Sequence, residues 1–253
     1  MIDSPPHNGA ERRPRRPDRN RKRNRNRGAA AFLRDLVVIV VVAVVASFLI
    51  KTFLIRSFYI PSESMENTLL VNDRILVDEL VPGVIPLQRG DVVVFKDPGG
   101  WLEPTVAPPQ GPIATAADQL LSLVGLSAQD ANDHLIKRVI GLPGDHVTCC
   151  NALGQMSVNG TPLDEPYVRK QAGTSAVSGT PFDVTVLPGD LWVMGDNRYN
   201  SKDSRYNTDQ RDHGFVPIRD VVGRAFVISW PIGRWSVLSN YPDTFAGVGK
   251  NGG

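Results

Sequence analysis

Cysteine is nearly absent from this 253-residue chain: two residues, adjacent at Cys149 and Cys150, exclude a disulfide framework. A trans peptide would hold their Cα atoms about 3.8 Å apart, under the usual 4.4–6.8 Å span of a bridge, so reduced, structural thiols are expected. An external compartment would leave an unusual disulfide open. Histidine is scarce as well, with four residues at positions 7, 134, 146 and 213. No His-Glu-x-x-His is present, which removes the usual zinc protease signature. Gly-x-Ser-x-Gly, Ser-x-x-Lys and Lys-Thr-Gly are all missing, which counts against a nucleophile-elbow hydrolase and against the penicillin-binding pattern. The Asp-x-Asp-x-Asp-Gly of a calcium loop is missing too. No internal repeat is visible.

Charge is missing in one place and one-sided in another. Between Arg12 and Arg34 there are eleven Arg and Lys. From Leu36 to Ile50 there is no charge at all, and Lys51 interrupts only briefly before Thr52-Phe53-Leu54-Ile55. That makes about 20 mostly apolar residues, enough at about 1.5 Å each to cross a bilayer core of about 30 Å. Lys51 can snorkel to the interface. Bulky Phe58-Tyr59, instead of a small-residue cleavage site, follow the stretch, so a retained anchor is expected over 36–55. The basic residues 1–35 then stay in the cytoplasm and the acidic remainder lies outside. The arm, rich in Arg, Asn and Pro, reads as a disordered topogenic tail, not a nucleic-acid binder.

The remaining 200 or so residues are ample for a hydrophobic core, and their texture is mostly β. Short runs rich in Val, Ile and Leu occur at Leu69–Asp78, Asp91–Lys96, Leu135–Ile140, His146–Cys150, Gln155–Val158, Leu191–Met194 and Val221–Ser229, bounded by Gly, Pro, Asn and Asp. Asn159-Gly160 predicts a type I′ hairpin turn. Residues 97–132, Pro- and Gly-rich and then briefly helical in pattern, read as an inserted lobe. Residues 146–188 read as a variable β insertion between a first catalytic part, 56–145, and a second part with the C-terminal tail, 189–253.

Pro61-Ser62-Glu63-Ser64-Met65 puts a candidate nucleophile just past the anchor. Nine residues separate Ile55 from Ser64, so the serine stays within about 30 Å of the membrane. A serine hydroxyl needs a base. If 135–140 is a strand, Leu135, Lys137 and Val139 share one face, with Ile136, Arg138 and Ile140 on the other. Apolar company disfavours the ammonium and lowers its pKa, which makes Lys137 a candidate general base.

Four blocks carry a resemblance. Pro61–Met65, Arg89–Phe95, Ile136–Asp145 and Gly195–Arg205 occur in the order found in the bacterial type I signal peptidases, and the chain resembles that family. The resemblance implies a mostly β, membrane-anchored catalytic domain with a smaller variable β lobe and one N-terminal transmembrane helix. It implies Ser64 as nucleophile and Lys137 as base, with the oxyanion hole made by Ser62 and the Ser64 N–H. It further implies that Ser201 hydrogen-bonds the lysine, that Asp203 supports that corner, and that Met65 packs near the nucleophile. No metal or organic cofactor is implied. Substrates are signal peptides of exported preproteins, bound extended and cut after small residues of Ala-x-Ala type, with membrane lipid and, transiently, the export machinery as partners. Glu63 and Tyr199 stand where the family often has a small residue and an Asp. Phe53, Leu54, Ile55, Phe58, Tyr59 and Ile60 are expected to extend the lipid contact. Competing readings are a processing peptidase of one dedicated substrate and a non-catalytic anchored binding module. A self-cleaving Ser/Lys repressor is disfavoured by the anchor.

Overall fold

The computed structural model describes residues 32–45, 54–102, 133–169 and 171–249. It divides into two units, 1–49 and 50–253. In the first, residues 32–45 form a helix, α1, whose apolar side chains are exposed. No helix among the described residues is long and apolar enough to cross a membrane. Most of the basic arm, residues 46–53 and residues 103–132 of the expected lobe lie outside the described residues.

Among the described residues the second unit contains twelve strands. β1 (Ile55–Tyr59), β2 (Arg74–Asp78), β3 (Val92–Lys96), β4 (His134–Gly141), β9 (Asp190–Met194), β10 (Val216–Pro217), β11 (Val221–Trp230) and β12 (Ser236–Val237) form one sheet. Its order is β1-β2-β11-β3-β4-β9-β10, with β12 on β11, and the pairs are antiparallel. β5 (His146–Cys149), β6 (Met156–Val158), β7 (Thr161–Pro162) and β8 (Phe182–Thr185) form a second sheet in the order β7-β6-β5-β8. The hairpin joining β6 to β7 turns through Asn159 and Gly160 at φ 52° and 77°, the two positive values a type I′ turn requires.

Side-chain period explains most of these elements. In β2, Ile75 and Val77 are buried while Arg74 is exposed, the alternation of a strand with one covered face. β3 is buried on both faces, so its Val92-Val93-Val94-Phe95 run shows no alternation. One apolar cluster joins Phe58, Ile60, Met65, Leu69, Ile75, Val77 and Val94 beneath the first strands. Another joins Val93, Phe95, Trp101, Leu135, Val139 and Val193. A third joins the two sheets through Ile140, Val147, Met156, Trp192 and Phe215.

Four expectations are corrected. Ile55 begins a strand and does not end a helix, because β1 pairs along its length with β2. The strand expected from Leu69 starts only at Arg74. Asn72 adopts φ 74° and the Asp73 carboxylate accepts from the Leu70 N–H, which makes residues 69–73 a turn. Phe58 and Ile60 are 4% and 2% exposed and belong to the core, not to a lipid-facing surface; of the three residues 58–60 only Tyr59, at 41%, faces outward. Cys149 and Cys150 are joined as a vicinal disulfide across a cis peptide, which brings their Cα atoms to 3.0 Å. The trans-peptide argument for free thiols does not apply to that geometry.

Candidate active site

Ser64 sits in a single 3-10 turn, Glu63–Met65, entered directly from β1. Met65 is anchored in the core beneath β1 and β2, and its carbonyl accepts from Leu69 N–H at 2.8 Å, so the turn is fixed on its inner side. Ser62 stands at the N-cap in extended conformation, yet its side chain makes no capping bond. Its hydroxyl lies instead 3.3 Å from Ser64 Oγ. An ordinary capping role for Ser62 is thereby replaced by a contact with the neighbouring hydroxyl.

Lys137 reaches the same hydroxyl from β4. Its side chain is buried, and Nζ donates to Ser64 Oγ at 2.9 Å and to the Ile136 carbonyl at 3.0 Å. Burial lowers its pKa from 10.5 to about 8, against the opposing pull of the Asp203 and Asp196 carboxylates. A substantial fraction of the amine is therefore neutral near pH 8. Neutral amine bonded to a hydroxyl is a base in position to take its proton.

Residues 195–205 wrap the far side of the serine. Asn197 N–H donates to the Ser64 carbonyl at 3.1 Å, and its side-chain amide donates to the Glu63 carbonyl at 3.1 Å. A Cβ at Gly195 would overlap both Ser201 Oγ and the Ser64 carbonyl oxygen, so only glycine permits this approach. Asp203 accepts from the Gly195 N–H at 3.0 Å and is bound bidentately by Arg205, which holds the loop. Ser201 is placed beside Gly195, but its buried hydroxyl has no hydrogen-bond partner among the described residues. The bond from Ser201 to the lysine implied by resemblance is not made in this arrangement.

Sequence reasoning missed Arg138. It is fully buried next to Lys137, binds Asp196 at 2.8 and 2.7 Å, donates to the Gly90 carbonyl, and stacks 4.1 Å from the Tyr167 ring centroid. Thr68 also donates to Asp196. Arg89 in turn binds Asp145 through two hydrogen bonds of 2.7 and 2.6 Å. Each motif block is thus tied to another by a charged pair or a backbone bond. The signal was available: Ile136, Arg138 and Ile140 share a face, and an arginine among apolar residues on a two-sided strand needs a buried carboxylate.

Above Ser64 and Lys137 lies a cleft of about 740 Å³. Residues 58–61 form one wall and 134–137 another, both from strand edges: β1 pairs only with β2, and β9 pairs with β4 only from Arg138 onward. A cleft between two strand edges, with a hydroxyl and a buried amine among its lining, has free backbone groups of the kind an added strand pairs with. Such a site defines a serine endopeptidase. Comparison with known proteins narrows the class. Residues 33–230 match the family described as signal peptidase, peptidase S26. The chain is 39% identical over 223 residues to a signal peptidase I of Mycobacterium tuberculosis, covering 81% of this chain and 75% of that protein. It is 39% identical over 225 residues to a probable signal peptidase I of Mycobacterium leprae, covering 79% and 77%. It is 32% identical over 246 residues to a signal peptidase I of Pseudomonas aeruginosa, covering 81% and 74%. The chain belongs to the signal peptidase I family.

Proposed function

We propose that this protein is a membrane-bound Ser/Lys endopeptidase that removes signal peptides from exported preproteins after small residues. The observation that carries the reading is the 2.9 Å bond from the buried Lys137 amine to Ser64 Oγ at the end of the cleft. In this mechanism the preprotein lies extended between the β1 and β4 edges. Neutral Lys137 takes the Ser64 proton as Oγ attacks the scissile carbonyl. The developing oxyanion is met by the Ser62 hydroxyl and the Ser64 N–H, donors aimed where charge appears. The lysine ammonium then gives its proton to the departing amine, leaving an acyl-enzyme. Water activated by the same amine releases the signal peptide and restores Ser64.

Selectivity for small residues belongs to this proposal; Phe58, Ile60, Met65 and Leu135, all buried, line the cleft with apolar surface that suits Ala-like side chains. The apolar stretch from residue 36 up to the start of β1 serves as the anchor, with the arm cytoplasmic and the catalytic unit outside the membrane. The test is cleavage of a labelled preprotein by the full-length chain in detergent, with sequencing of the new N-terminus. Wild type gives a cut after a small-x-small sequence and Ser64→Ala gives none; uncut preprotein with wild type rejects the reading.

A further inference from the structure

Glu63 stands between the two serines, and it is the only carboxylate among the described residues lining the cleft. Its position is fixed twice: Asn200 Nδ2 donates to its Oε2 at 2.9 Å, and Asn197 Nδ2 donates to its backbone carbonyl at 3.1 Å. The nearby Glu66 is different. Its carboxylate is taken up by Arg169 and Asn197, and it does not line the cleft. Among the described residues no Lys, Arg or His forms an ion pair with Glu63. A fixed, unneutralised carboxylate beside a nucleophile is a charge filter for whatever the nucleophile receives.

Which part of the substrate meets it follows from the walls. On the peptidase reading above, the residues preceding the cut lie between the two strand edges, 58–61 and 134–137, that line the cleft with Ser64. Glu63 is hydrogen-bonded to Asn200 of the loop after β9, which lines the cleft together with Lys202 and belongs to neither strand edge; on the same reading this is the side left for residues after the cut. Resting on the peptidase reading above, we propose that the Glu63 carboxylate selects at the first two residues after the cut, favouring basic side chains there and disfavouring acidic ones. The competing charge on this wall is the exposed Lys202. It lies at the end of a flexible stem, whereas Glu63 is bonded in place one residue from the nucleophile.

The experiment uses the full-length enzyme in detergent and a preprotein carrying Lys, Gln or Glu at the first or second position after the cut, read as kcat/KM. An exposed charge contact supports a Lys-to-Glu preference of about three- to tenfold at one of these positions in wild type. The preference falls to near one in Glu63→Gln and shrinks as salt is raised from roughly 0.05 to 0.5 M. Glu79→Gln, which removes a carboxylate paired with Arg56 outside the cleft, leaves the ratio as in wild type. A wild-type ratio near one at both positions overturns the proposal without any variant. So does a ratio that survives in Glu63→Gln, or an acidic preference that disappears in Lys202→Gln. Failure of wild type to cut any of these preproteins speaks instead against the peptidase site itself, and takes the proposal with it.

Discussion

Lys137 is a lysine whose charge the fold resists. With its pKa lowered from 10.5 to about 8 by burial, kcat/KM rises with pH through a limb near 8 and levels above it, two pH units or more below where an exposed lysine would place that limb. The same shift acts on stability. Between pH 8 and 10.5 the unfolded chain still holds the proton that the folded chain has released, so stability rises with pH over that window. Below pH 8 the folded protein carries a buried ammonium at a cost on the order of 3 kcal/mol. Lys137→Met is therefore inactive, yet more stable than wild type to urea at pH 7, and its advantage narrows as pH climbs from 8 to 10.5. An advantage of equal size at pH 7 and pH 10.5 rejects this account of the base. Ser62→Ala, lacking one oxyanion donor, keeps measurable turnover but loses roughly 10²–10³ in kcat, whereas Ser64→Ala loses covalent chemistry altogether. If Ser62→Ala runs at the wild-type rate on saturating substrate, its hydroxyl has no oxyanion role. Lys137 was legible because strand alternation gives it apolar neighbours. The same alternation signals that Arg138 needs a buried carboxylate, but its partners were not legible, because they are residues 167, 196 and 241, far away in sequence.

Strands whose cores are continuous or strictly alternating, such as β2 and β3, are readable from composition because their burial is decided within the strand. β1 and β8 escaped for opposite reasons. Ile55-Arg56-Ser57-Phe58-Tyr59 follows directly on an apolar stretch that dominates the local pattern, and β8 alternates but is only half covered. The loop 195–205 has no periodicity at all; its shape is set by tertiary partners. It rests on Gly195 having no side chain, on the Arg138–Asp196 pair and on the Arg205–Asp203 pair. Gly195→Ala forces a Cβ into the Ser64 carbonyl and Ser201, so it displaces the nucleophile turn and lowers kcat at least as much as the loss of Ser62. Asp196→Asn leaves the Arg138 guanidinium buried without its counter-charge and destabilises by about 3–5 kcal/mol in urea unfolding, the usual result of breaking a buried pair. A loss under 1 kcal/mol would show that the pair is solvated in solution and does not hold the loop.

At the scale of the whole catalytic unit, apolar surface is distributed unevenly. Trp230, Ile232, Trp235 and Val237 are exposed together at the end of β11, the following turn and β12. Across β2, Tyr59 and Trp230 both pair with Arg74, so Tyr59, which lines the cleft, stands in the same row of the sheet with the exposed Arg74 between them. A cluster of exposed tryptophan beside a substrate cleft matches the chemistry of a bilayer interface, where amphipathic rings are favoured. The four tryptophans make the contact measurable, because Trp101 and Trp192 are buried while Trp230 and Trp235 are exposed. In proteoliposomes of the full-length chain, brominated lipid quenches wild-type fluorescence, and the quenching is lost in the Trp230→Tyr, Trp235→Tyr double variant, whose remaining indoles are shielded. Equal quenching in both proteins, or none in wild type, removes the patch from the membrane surface.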